Sequence, residues 1–506
     1  MKFVVLITIM MLLELSCSSS HVTHPTNFEG SKKRLKSNLE FLASDELEGR
    51  EATKLGSKIA GKFIASRLEE YGVEPFGDDN TYFQNFRLES INFNRSIVSF
   101  LDNNDTDTLD YLEDYFVYDA GDKITSSEIV YVGFGIVDSS LQVNDYENLD
   151  VAGKTVLCLR GVPEDYEGLK KSGWTSSKYD FAKQQGAIGL ILLYNHKTMS
   201  QWGELIRRQL RDNIVKIKQG KSINAILLDS LTIKRFFNKN DLSYKALRND
   251  LENGLILKKG TIVKKKINWG LNKNKKEVWA RNIVGIIQGN DSNLAEEYVV
   301  VSAHYDHEGI LDDEIYNGAD DNASGTIAVL ECARQLALER TNKRSIIFCF
   351  WDAEEKGLLG SDYFTENCPD LGKIKANINI DMVGREHADS IYVIGSGRLS
   401  SELFDIVERA NKKSSDFYLD YAFDDESHPE RFYYRSDHWN FAKNNIPVVF
   451  FFDWHYEDYH KPTDDAEKIN YHKITRVIRL VKQIALDIAN LNHDLIIDNI
   501  NIAAKK

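Results

Sequence analysis

Proline and cysteine are scarce in this chain. Seven prolines among 506 residues exclude a proline-rich or fibrous chain, and five cysteines exclude a scaffold built on disulfides. Positive charge is also short. With 63 Lys+Arg against 77 Asp+Glu, the formal net charge is −14, which argues against a nucleic acid or an anionic membrane as the main partner. Past the first residues, no apolar run approaches the roughly 20 residues that a membrane helix requires. What is present is an ordinary globular balance, 42% hydrophobic and 28% charged, which excludes wholesale disorder. The length supplies material for two to three domains and a large core.

Residues 1–16 read as an export signal, with Lys2 as a short positive region and Phe3 to Leu13 as the apolar stretch. Leu15-Ser16-Cys17, followed by three serines, resembles a bacterial lipobox, although Glu14 stands where that pattern has Leu. Cys17 is then the expected lipid anchor and 17–30 a polar tether. The other reading is a plain secretory signal cut near Ser16 or Ser20. Either way the mature protein is expected outside the cytoplasm, as a cell-envelope lipoprotein (outer membrane or periplasm) or secreted. Cys158 and Cys349 sit inside apolar runs and are expected to be buried free thiols.

Three characters follow along the chain. Residues 31–115 open with two amphipathic helices: Leu35, Leu39 and Leu42 share one face, and Ile59 to Leu68 repeat the pattern before Gly72. Residues 116–255 alternate short apolar runs with turns, as in Lys154-Thr-Val-Leu-Cys-Leu and Gly189-Leu-Ile-Leu-Leu, and read as a β-rich unit with its own core. The lysines scattered over 258–276 read as a solvated strand face or loop. From 256 to 495 near-continuous apolar strands alternate with helices, which implies an α/β fold: a mostly parallel mixed sheet with helices on both faces. Residues 496–506 remain as a C-terminal tail.

Five polar clusters stand out, and most follow an apolar strand. Tyr298-Val-Val-Val-Ser-Ala ends in His304-Tyr-Asp306. Asp320-Asp321-Asn322 precedes a helix expected over 324–338, Ser345–Trp351 leads into Asp352-Ala-Glu354-Glu355, Ala376–Ile380 into Asp381, and His460 lies in Tyr459-His-Lys-Pro-Thr. Ligands of open α/β sheets gather at the carboxyl ends of strands, so distant clusters can share one cleft. Singly, each cluster has an ordinary structural explanation, such as a helix N-cap for Asp-Asp. Together they form a donor set of imidazoles and carboxylates that suits zinc, with too many ligands for one open tetrahedral site and enough for two metals sharing a carboxylate. Of the Glu354-Glu355 pair, one is then a ligand and the other a proton acceptor. Asp306, two residues past His304, is placed to orient that imidazole.

These motifs, with Asn317-Gly-Ala-Asp320, Gly357-Leu-Leu-Gly360-Ser361 and Asp381-Met, resemble the di-zinc exopeptidases of metallopeptidase family twenty-eight, the relatives of bacterial leucine aminopeptidase and aminopeptidase Y. Leu42-Ala-Ser-Asp45-Glu-Leu-Glu48-Gly-Arg50 is similar to the opening of the catalytic domain in bacterial members, as are His428-Pro-Glu-Arg431 and Arg435-Ser-Asp437-His438 to a later stretch. The 116–255 unit looks like an inserted protease-associated domain.

The resemblance implies a zinc exopeptidase fold and two Zn²⁺. It implies His304 and Asp381 on one zinc, Glu355 and His460 on the other, and Asp321 bridging both. It implies Glu354 as general base toward a water held between the zincs, Asp306 as the residue orienting His304, and Asp437 and His438 lining the substrate pocket. The expected activity is removal of N-terminal residues from peptides. A glutamate-carboxypeptidase-like enzyme is the alternative, with Arg431 and Arg435 near the pocket. A single-zinc glutaminyl cyclase and a non-catalytic binding protein are less favoured. The expected partner is a peptide substrate, with no nucleic acid and no membrane contact beyond the N-terminal anchor.

Overall fold

The computed structural model describes residues 28–498 apart from 94–95, 103–104, 122–125, 140, 164–174, 195–204, 207–208, 210–212, 218–219, 386 and 455–456. The expected export signal and the Cys17 anchor lie outside these residues.

Ten strands form the larger sheet. At its centre Ser345–Trp351, Tyr298–His304, Ile374–Asp381 and Val448–Phe452 lie side by side and parallel. Their apolar runs are continuous because both faces are covered. Val299, Val301, Ile346, Phe348 and Phe350 enter one core, while Val300, Ile347, Cys349 and Trp351 enter the other. The first core is closed by helices Phe28–Leu42, Leu55–Glu70, Gly325–Glu339, Ser401–Ser414 and Tyr471–Ala489. Helices Leu359–Asn367 and His438–Ala442 close the second.

The flanks are antiparallel. Phe83–Asn92 pairs with Asn274–Ile287 over ten positions, and only Ile283–Ile287 borders Ser345–Trp351. The remaining nine residues, 274 to 282, carry this ribbon past the carboxyl ends of the central strands. At about 3.3 Å per residue that is roughly 30 Å.

The ribbon leads to a second sheet of eight strands, whose middle (Ser126–Tyr131, Thr155–Leu159, Gly189–Leu193, Asn224–Leu228) is parallel. That sheet also takes Ile97–Asp102, Asp105–Leu109 and Ile262–Gly270, on either side of the 116–255 segment. Two apolar cores flank it. Lys264 and Lys266 are exposed on the strand whose Ile267 and Trp269 are buried, so this part of the lysine run is a solvated strand face. Cys158 and Cys349 are buried free thiols. No helix among the described residues is long and apolar enough to cross a membrane.

Candidate active site

Three adjacent parallel strands deliver the chemistry to one end of the sheet. His304 is the last residue of its strand, Asp381 the last of the next, and Glu354-Glu355 follow Ser345–Trp351. Asp321 arrives on the turn that opens helix Gly325–Glu339, with a cis peptide bond to Asn322. Gly318 begins that turn at φ +56°, and a Cβ there would overlap the Asp321 carbonyl oxygen and the His307 ring, so the position requires glycine. Asp464 anchors the same turn by accepting the backbone N–H groups of Asp320 and Asp321 at 3.0 Å.

The two carboxylate oxygens of Asp321 face two different imidazoles. Oδ1 lies 3.4 Å from His304 Nε2, and Oδ2 lies 3.2 Å from His460 Nε2. His304 Nε2 is also 3.3 Å from Asp381 Oδ1, and His460 Nε2 is 3.3 Å from Glu355 Oε2. Glu354 Oε2 stands 4.0 Å from His304 Nε2. Donor atoms on a tetrahedral ion with bonds of 2.0–2.1 Å are about 3.3 Å apart. His304, Asp321 and Asp381 therefore could hold one metal ion, and beside them His307, Asp321 and Glu355, or Glu308, Glu355 and His460, could hold another. Four buried or half-buried carboxylates so close together also need cationic compensation.

Without it, burial and the neighbouring acids push Glu354 well above the usual carboxylate range. Burial has the same sense for Asp321 and Glu355, but the imidazoles beside them outweigh it and hold both below that range.

Asp306 ties the centre together. Its carboxylate accepts the N–H of Glu354 at 3.0 Å and of Glu355 at 3.4 Å, and Oδ1 lies 3.7 Å from His304 Nδ1. The Asp306 backbone carbonyl lies closer to His304 Nδ1, at 3.2 Å, so this one buried residue contacts groups carried by two strands. Ser436 donates to Asp381 Oδ2 at 2.8 Å, and Glu308 Oε1 lies 3.5 Å from His460 Nδ1. His307, fully buried, places Nδ1 3.0 Å from Glu355 Oε1. Sequence reasoning passed over His307 and Glu308, although both continue the His304-Tyr-Asp306 run.

Arg50 was also given no role. It is 1% exposed and makes no ion pair among the described residues. Its guanidinium donates to the carbonyl oxygens of Tyr305 at 2.8 Å, Asn317 at 2.6 Å, Gly318 at 2.9 Å, and to that of Leu42. Burial lowers its pKa to about 10, against the pull of Asp464 and Asp321. Arg50 therefore pins the loop after His304 to the loop before Asp321. Arg50→Ala leaves four acceptors unsatisfied at about 1–3 kcal/mol each, partly offset by relaxation and water, so the expected loss of stability is about 3–5 kcal/mol. Equilibrium denaturation checks this, and a loss below about 1 kcal/mol would refute it.

The centre opens into a cavity of about 530 Å³. Phe432, Phe450, Phe452, Trp454 and Tyr459 line one side, and Asn213, Ile214, Val215, Lys356 and Leu358 also border it. Asp437 and His438 do not line it. Both are fully buried behind Ser436, where the short helix beginning at His438 turns them inward. Asp437 accepts from Ser361 Oγ at 2.5 Å and is pushed up to about 7 by burial. His438 stacks on Phe450 at 4.5 Å and is pushed down to about 3 by burial.

Residues 282–485 match Peptidase family M28, and residues 125–228 match the PA domain. Leucine aminopeptidase 2 of Trichophyton equinum is 31% identical over 173 residues, 33% of this chain and 32% of its own length. Aminopeptidase Y of Saccharomyces cerevisiae is 29% identical over 198 residues, 37% of this chain and 32% of its own. The matches thus span about a third of these relatives. The solved aminopeptidase from Aneurinibacillus sp. strain AM-1 shares the fold, with a TM-score of 0.59 at 18% identity over 92% of this chain and 96% of that one. The peptidase match takes in the strands and loops that carry His304, Asp321, Glu354, Glu355, Asp381 and His460, so the segment that holds the candidate centre is the one that resembles Peptidase family M28, and the second unit holds the segment that resembles the PA domain.

Proposed function

We propose that this protein is an exported di-zinc aminopeptidase that removes N-terminal residues from peptides. The observation that carries the reading is the single Asp321 carboxylate directed at both His304 and His460, each completed by a further carboxylate at 3.3 Å. His304, Asp381 and Asp321 would hold one zinc, and Glu355, His460 and Asp321 would hold the other. Two bound zinc ions supply Lewis acidity and lower the pKa of water. Glu354 borders the cavity without being needed as a ligand. It takes the proton of the attacking water and returns it to the leaving amine. Asp306 holds Glu354 and Glu355 by their backbone amides and keeps His304 in orientation. Export rests on the pattern of residues 1–20, with Cys17 as the lipid anchor if the lipobox is used.

The cleft favours a free amine over a free carboxylate. Glu308 and Glu354 are its acids outside the two ligand sets. The cations that line it are already paired, Arg435 with Glu430 at 2.7 Å and Lys356 with Glu51 at 3.4 Å. The relatives named leucine aminopeptidase and aminopeptidase Y agree with that choice. Aminoacyl-arylamides, assayed with and without a chelator, test it: turnover is expected, lost on chelation and restored by zinc. Cleavage of N-terminally blocked but not free-amine peptides would reject the aminopeptidase reading. No cleavage of any peptide by zinc-loaded protein would favour a binding role.

A further inference from the structure

The strand Asn213–Lys216 lies within the segment that matches the PA domain, yet it forms the outer edge of the larger sheet. It pairs antiparallel with Phe83–Asn92, from Asn213 opposite Ile91 to Lys216 opposite Leu88. Ile214 is buried with Ala52, Phe86, Leu88, Ala280 and Ala353, the last being the neighbour of Glu354. Val215 packs on the core of the second unit. Lys216 pairs with Asp362 and Glu366 on the helix that follows the Glu354-Glu355 turn. The strand is thus fixed from three sides, and Asn213, Ile214 and Val215 border the same cavity as His304, Glu354 and Asp381. Its second edge carries no strand among the described residues.

We propose that this edge is the subsite for the residues that follow the scissile bond, where an extended peptide substrate adds as one more strand. The inference rests on the peptidase reading above. Sheet order supplies the direction. The catalytic carboxylates belong to the three strands between Val448–Phe452, which carries the aromatic side of the cavity, and the ribbon that carries Asn213–Lys216. A terminal side chain seated among Phe450, Phe452 and Trp454 leaves the rest of the peptide heading across the carboxylates toward the edge strand. An open edge presents N–H and C=O groups at alternate residues, ready for main-chain pairing. Three residues span about 10 Å, which suits pairing with two or three substrate residues. Recognition of this kind reads length and backbone rather than side chains. The leaving segment is therefore selected for being extended and several residues long, and not for its sequence.

The test uses the full zinc-loaded protein and C-terminally amidated peptides of two to six residues that share a first residue. kcat/KM is expected to rise about tenfold or more between two and five residues, as two ladder hydrogen bonds of ordinary strength would give, and then to level off. N-methylation of the backbone nitrogen at one of the second and third leaving positions, whichever donates into the ladder, removes the gain. Ile214→Pro and Val215→Pro each delete one strand amide, and one of the two is expected to collapse the pentapeptide-to-dipeptide ratio of kcat/KM. A flat or falling length series overturns the inference, as does a gain that survives every N-methyl substitution. An aminoacyl-arylamide measured in the same preparation separates the two levels. Arylamide turnover with a flat length series defeats only the edge subsite, whereas absent arylamide turnover defeats the peptidase reading beneath it.

Discussion

Glu354→Gln is expected to keep its metal and lose about 10²–10⁴-fold in kcat, the usual share of a positioned proton-transfer group. The two side chains have nearly the same shape, and the backbone N–H of residue 354 still bonds to Asp306, so the turn remains in place. The ligand sets around His304 and His460 do not include this residue, so metal content measured on the purified variant should match the wild type. The amide can neither accept the proton of water nor return one to the leaving amine. KM is expected to change little, because a group acting only in proton transfer contributes little to ground-state binding. Full zinc with activity intact would remove Glu354 from the base role; lost zinc would make it a ligand instead.

Asp321→Asn is expected to act on both metal positions at once. Among the described residues no other carboxylate faces both His304 and His460, with oxygens at 3.4 and 3.2 Å. A neutral amide offers a weaker oxygen donor on one branch and an N–H on the other. Metal content should fall below two per chain. The transition state then loses several kcal/mol of Lewis-acid stabilisation, which at about 1.4 kcal/mol per tenfold is a thousandfold or more in kcat/KM. In the metal-free protein the imidazoles beside Asp321 hold its carboxylate below the usual range, so the ionised group is net stabilising near neutral pH and metal-free Asp321→Asn should be less stable than metal-free wild type. Metal analysis, kinetics and denaturation with and without chelator read these effects separately. Two metals per chain with unaltered kinetics would show that Asp321 bridges nothing.

Much of this site could be read from the sequence because its parts are local. A continuous apolar run that ends in His or Asp marks a buried parallel strand and what it offers at its carboxyl end. That holds for Tyr298–His304 and Ile374–Asp381, and the Asp320-Asp321 turn announces itself by the helix after it. Arg50 was illegible for a physical reason: its partners are main-chain carbonyls from a helix end and two loops, and a carbonyl leaves no trace in residue type. Asn213–Lys216 is four residues long and owes its place to Phe83–Asn92, more than 100 residues earlier. The extent of the second sheet was hidden similarly, since Ile97–Asp102 and Ile262–Gly270 become neighbours only through a ribbon closed by the whole intervening chain. Asp437 and His438 mislead because they adjoin Arg435-Ser436, which do face the cavity; one turn of helix reverses their direction.

The manner in which the second unit is attached makes this protein less modular than its domain layout suggests. The chain leaves along Phe83–Asn92, returns along Asn274–Ile287, and in between sends Asn213–Lys216 back onto the first sheet. Cutting out the intervening segment and joining the ends would do more than shorten the protein. It would bare the outer edge of Phe83–Asn92 and uncover Phe86, Leu88 and Ala353, which Ile214 now covers. A naked strand edge beside exposed apolar side chains is a template for aggregation. A minimised fragment should therefore precipitate unless a replacement strand is grafted in, and protease nicking near the 213–216 strand should abolish the proposed aminopeptidase activity without touching the residues around His304 and His460.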